Sequence, residues 1–93
     1  NNARAYYAAG SLRITLSSRM DLTIAIGVSS LDGIPYYSKT IRINGNDEEQ
    51  EIVLTDLPSL PSGRYMVGIK SPDMPSGVNR LYICISLSLE NII

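Results

Sequence analysis

Residues 22–33 read LTIAIGVSSLDG, and their spacing decides the class of fold. Leu22, Ile24, Ile26 and Val28 take every second place, with Thr23, Ala25 and Gly27 between them. A period of two sends one row of side chains to a core and the other to a wetter face, as in a half-buried antiparallel strand. A helix would instead need apolar residues three and four apart. The run closes on Asp32-Gly33, a pair that tolerates positive φ and so predicts a reversal.

The same period recurs on both sides of this stretch. Leu12, Ile14 and Leu16 alternate with Arg13 and Thr15, and Ser17–Asp21 is a connection of hairpin length. Beyond the Asp-Gly turn a strand is predicted from Tyr36 to Ile43. Tyr37, Lys39, Ile41 and Ile43 share one face and Tyr36, Ser38, Thr40 and Arg42 the other. Lys39 is expected at the sheet margin, its stem over apolar surface and its amine in water. Asn44–Asp47 forms the next turn, and Gln50–Thr55 returns with Ile52 and Leu54 inward. Pro58 and Pro61 bar central pairing and Ser62-Gly63 turns the chain. Tyr65, Val67 and Ile69 then alternate with Arg64, Met66, Gly68 and Lys70, the Tyr65 ring capping the core. Ser71–Gly77 reads as a long loop. From Leu81 to Leu89 every odd position is Leu or Ile, which reads as a central strand, with an adhesive edge strand as the alternative.

The chain is therefore predicted to be all-β, an antiparallel sandwich of six strands, or seven if Arg4–Ala8 joins a sheet edge. Its 93 residues suit a single domain, 1–93, with 1–10 and 90–93 the loosest parts. At 44% hydrophobic and 18% charged residues it has the apolar surface to fold. Eight basic against nine acidic residues leave a net charge of −1, so no nucleic-acid partner is expected. No apolar run is long enough for a membrane span.

Histidine is absent, which removes Ser-His-Asp and Cys-His machinery and most transition-metal sites. The single cysteine, Cys84, makes no internal disulfide and is expected to behave as a small buried hydrophobe. Asp47, Glu48, Glu49 and Glu51 form one acidic run without the spacing of a calcium loop, and read as a solvated hairpin tip. No catalytic residue, metal or cofactor is expected; a small hydrolase working through Asp56 or Glu51 is the enzymatic rival. Six tyrosines supply all the aromatic surface, since Phe and Trp are absent. Tyr36 and Tyr37 are the candidate platforms for a sugar or peptide, although neighbours in a strand face opposite ways. Arg64, after the Ser62-Gly63 turn, completes the candidate partner surface.

The strand ending at Asp32-Gly33, the Tyr37–Ile43 strand, the acidic hairpin and Leu60-Pro-Ser-Gly-Arg-Tyr-Met-Val67 resemble small secreted bacterial β-sandwich domains of unknown function. The Leu60-x-x-Gly63-x-Tyr65 phrase is also similar to that of the C-terminal sorting domains of type IX secretion. The likeness runs from Leu12 to Ile85. Sorting domains finish on a basic and apolar strand, whereas residues 87–93 hold no Lys or Arg. What the resemblance implies is an exported Ig-like or fibronectin-like domain, secreted, periplasmic or at the cell surface. With Asn1 as first residue, it also implies a chain freed of an export signal, the alternative being a chain trimmed for expression. The expected role is a non-enzymatic structural or protein-interaction module, binding a protein or itself through an edge strand. The alternatives are a carbohydrate-binding module and a strand-exchanging, pilus-like assembly subunit.

Overall fold

The computed structural model describes residues 3–85, the side chains of 75–79 excepted. It is all-β, with seven strands: β1 (Arg4–Ala8), β2 (Ser11–Leu16), β3 (Leu22–Ser30), β4 (Pro35–Ile43), β5 (Gln50–Leu54), β6 (Gly63–Ser71) and β7 (Met74–Ile85). Two antiparallel sheets result, one of order β1-β2-β5 and one of order β4-β3-β6-β7. Arg4–Ala8 is thus the seventh strand, at the edge where the sequence allowed it.

The rows of alternate aliphatic residues meet between the sheets. Leu12, Ile14 and Leu16 from β2 and Leu54 from β5 face Leu22, Ile24, Ile26 and Val28 from β3, with Tyr65, Val67 and Ile69 from β6. Ile43, Ile83 and Ile85 complete the buried set. At about 1.5–3 kcal/mol for each fully buried aliphatic side chain, this burial is the main force holding the sheets together.

Three details differ from the expectations. Ser71–Gly77 is no long loop, because the chain reverses at Pro72-Asp73 and β7 starts at Met74. Polar contacts hold that reversal: the Ser71 hydroxyl donates to Thr23 O (2.6 Å), and the Asp73 carboxylate accepts from Thr23 N–H (3.0 Å). Pro75 fits inside a strand there because β7 is an edge. Leu81–Ile85 accordingly stands at a sheet margin rather than in the centre; Leu87 and Leu89, like residues 90–93, lie outside the described residues. Third, Cys84 faces solvent instead of the core, since it occupies an even position between the buried Ile83 and Ile85.

The loops at one end interlock. Gly45 N–H donates to Asp21 Oδ1 (2.7 Å) and Asp47 N–H to Ser18 O (2.8 Å), tying the β4–β5 turn to the β2–β3 turn. Asp47 itself takes positive φ (58°). At the opposite end the Asp32-Gly33 reversal is present as expected, with Gly33 at φ 91°.

Candidate binding surface

Of the three residues expected to form a partner surface, Tyr36 and Tyr37 lie on β4 and Arg64 on β6. Between Val28 and Ser29 the β3–β4 register shifts, so that Val28 pairs with Tyr37 and Ser29 with Pro35. Tyr36 is the extra residue of this bulge, and such bulges re-aim side chains. Its ring lies edge-on to that of the buried Tyr65, centroids 5.6 Å apart and planes at 75°. Simple alternation, which assigns Tyr36 to the outer row of β4, therefore fails at this residue.

Tyr37 is half-buried against the core. Its hydroxyl donates to Asp56 Oδ1 (2.6 Å), and Lys39 Nζ donates to Asp56 Oδ2 (3.0 Å). Asp56 follows β5, so this one carboxylate joins the two sheets along the β4–β5 margin. The Tyr37 and Lys39 hydrogen bonds hold its carboxyl below the usual carboxylate range. Desolvation, reinforced by the Asp56 carboxylate, drives the Tyr37 phenol above its ordinary value. Both groups are committed to structure. Among the described residues Asp56 is bonded to a phenol and an amine, whereas hydrolysis of a glycoside uses a pair of carboxylates.

Arg64 lies on the outer face of the four-stranded sheet, level with Cys84 across the β6–β7 pair. With Leu31, Tyr82, Ile83 and Cys84 it lines a shallow depression of about 340 Å³. Leu31 and Ile34, from the β3–β4 turn, are 54% and 55% exposed, and Tyr82 is 68% exposed. Leu31 and Tyr82 thus form an open apolar cluster bordered by the Arg64 guanidinium. The sequence did hold a signal for Tyr82: it is an aromatic ring at an even, outward position of a strand whose odd positions are aliphatic.

From that depression the outer face continues past Met66 and Tyr82, then Gly68 and Arg80, to Lys70. Gly27 of β3 pairs with Gly68 of β6, leaving the middle of the face without side chains. Arg42 of β4 is occupied elsewhere, donating to Thr23 Oγ1 (3.0 Å) and lying 3.8 Å from Asp73. The other sheet's outer face is electrostatically mixed, with Arg4 paired to Glu49 (2.9 Å) and Arg13 to Glu51 (3.4 Å).

Among the described residues no cluster of three or more Cys, Asp or Glu side chains is placed to hold a metal ion. Nor is there among the described residues a helix long and apolar enough to cross a membrane. Comparison with models of protein families, with curated proteins and with solved structures finds no match to the chain.

Proposed function

We propose that the chain is a non-enzymatic, exported interaction module of the immunoglobulin and fibronectin kind, contacting a protein partner through the Leu31, Arg64 and Tyr82 end of its four-stranded sheet. The observation that carries the reading is the exposed apolar cluster of Leu31 and Tyr82 beside Arg64, gathered around one depression. Kinship with that sandwich class is supported by the division of strands, first, second and fifth in one sheet and the rest in the other. It is supported too by the Tyr65 hydroxyl, which donates to Pro61 O (2.6 Å) four residues upstream, as in a tyrosine corner. Export rests on the resemblance of the Leu12–Ile85 segment to secreted bacterial domains.

Selection of a random peptide library on the folded domain tests the binding reading, with a Leu31→Asp, Tyr82→Ser double variant as the counter-target. Peptides that hold the parent domain and not the variant are expected. If no enriched peptide distinguishes the two proteins, the reading falls.

Strand addition at β7 is a second reading, favoured by the twelve-residue length of that edge strand. The β4 edge is guarded by Pro35, the Tyr36 bulge and the inward-side Lys39, all devices that discourage pairing. Self-pairing predicts a concentration-dependent dimer whose β7 amides gain protection from hydrogen exchange. A monomer at all concentrations in sedimentation would dispose of it.

A further inference from the structure

The outward residues of β6 and β7 describe more than a general contact site. Antiparallel register sets Arg64 beside Cys84, Met66 beside Tyr82, Gly68 beside Arg80 and Lys70 beside Val78. Same-face rows in a sheet are about 6.7 Å apart, two residues of about 3.3–3.4 Å each. From the Leu31 depression, Tyr82 is therefore one row away, Arg80 two and Lys70 three. No carboxylate occupies a described outward position of β3, β4, β6 or β7; Asp73 belongs to the turn before β7 and faces Arg42, and Asp32 belongs to the β3–β4 turn.

Lys70 and Arg80 are diagonal neighbours on adjacent strands, a spacing of about 7–8 Å. Two cations so placed repel, and an anion between them relieves the repulsion. The acidic run of the molecule, Asp47 to Glu51, sits on the β4–β5 turn and the three-stranded sheet. The described outward positions of the four strands therefore present one sign of charge to an approaching partner, with Asp32 and Asp73 in the turns at either end.

The glycines add an independent observation. A Cβ at Gly68 would meet no atom within 4 Å, so the protein's own packing does not require glycine there. Glycine inside a strand still costs about 0.5–1 kcal/mol relative to alanine. The gain from leaving the Gly27 and Gly68 positions bare is room for another backbone to lie against the sheet.

We infer that the partner docks as an extended acidic peptide segment led by one bulky apolar side chain. This rests on the protein-interaction reading above and specifies its chemistry. An extended segment lying along β6 and β7 has the pitch of the sheet, so its alternate side chains fall on successive rows. The apolar residue enters the depression between Leu31 and Tyr82. Carboxylates four and six residues later meet Arg80 and Lys70, while the bare glycine floor lets the main chain approach.

The test is fluorescence polarisation with labelled Phe-Ser-Ser-Ser-Glu-Ser-Glu at low ionic strength, against the same peptide with Gln for Glu. The Gln peptide, Arg80→Glu and Lys70→Glu should each weaken binding by about tenfold or more, and added salt should weaken it further. Gly68→Val fills the floor with a good strand former, and should abolish binding without lowering the melting temperature. Equal affinity for the Gln peptide, or full binding by Gly68→Val, overturns the proposal. So does equally tight binding of polygalacturonate or a single-stranded oligonucleotide, since the face would then read charge alone. Selected peptides that use the depression but lack acidic residues would sink this inference and leave the interaction module standing.

Discussion

Gly45 and Tyr65 show how one residue can hold a loop. A Cβ at Gly45 would overlap the backbone of Met20, so glycine is there for close approach of the two turns; the neighbouring Asp47 supplies the positive φ. Gly45→Ala should cost about 1–3 kcal/mol or more, because backbone cannot yield as a side-chain tip can. Gly33→Ala has open space around it but a left-handed backbone (φ 91°), and should cost about 1–2 kcal/mol. Urea denaturation of both variants checks the difference in cause, since Asn should partly rescue position 33 and not 45. Tyr65→Phe keeps the ring in the core and deletes the bond to Pro61 O. It should lower the melting midpoint by roughly 4–8 °C, a value that scanning calorimetry would read directly.

At the scale of strands, the two margins of the four-stranded sheet behave differently. Along β4, Asp56 receives the Tyr37 hydroxyl and the Lys39 amine, and its lowered pKa stabilises the fold above the unfolded carboxylate value of about 3.9. That contribution disappears as pH falls through the still lower folded value. The raised Tyr37 pKa works from the other side, its share being lost as pH climbs above the unfolded phenol value of about 10. Both groups are partly exposed, so the effect is small. Asp56→Asn should be less stable than the parent near pH 7 and indistinguishable from it near about pH 2, as urea midpoints at the two pH values would show. A gap that persists unchanged in acid would mean the carboxylate charge is not the cause. Along β7, Cys84 is exposed. A chromogenic disulfide reagent should therefore titrate one thiol in the native protein without denaturant, whereas a thiol reactive only after unfolding would contradict the placement of β7.

For the whole molecule, the class of fold was legible because each strand repeats one polarity over two residues, and Leu12–Leu16, Leu22–Val28 and Tyr65–Ile69 keep that rule without interruption. What the rule omits is pairing. Odd-position aliphatics in Leu81–Ile85 look alike in a central strand and in one backed by a single neighbour, so the edge position of β7 could not be read. Nor could the bulge at Tyr36, which depends on how β4 lines up with β3. The Pro72-Asp73 reversal depended on Thr23, some fifty residues away in sequence. The candidate surface was hidden for the same reason: Leu31, Arg64 and Tyr82 belong to three separate segments that only the order β3-β6-β7 assembles.

Strands β1 and β7, the first and last of the described residues, lie against each other on different sheets. The antiparallel pairings and short turns make them run in the same direction. A tether entering at Ala3 and leaving at Ile85 would consequently attach at opposite poles of the sandwich. Tension would drag each terminal strand lengthwise against its partner, loading all five β1–β2 rungs at once instead of unzipping them in turn. Pulled between those two points, the sandwich would therefore resist by shear, with all the rungs of a strand pair sharing the load.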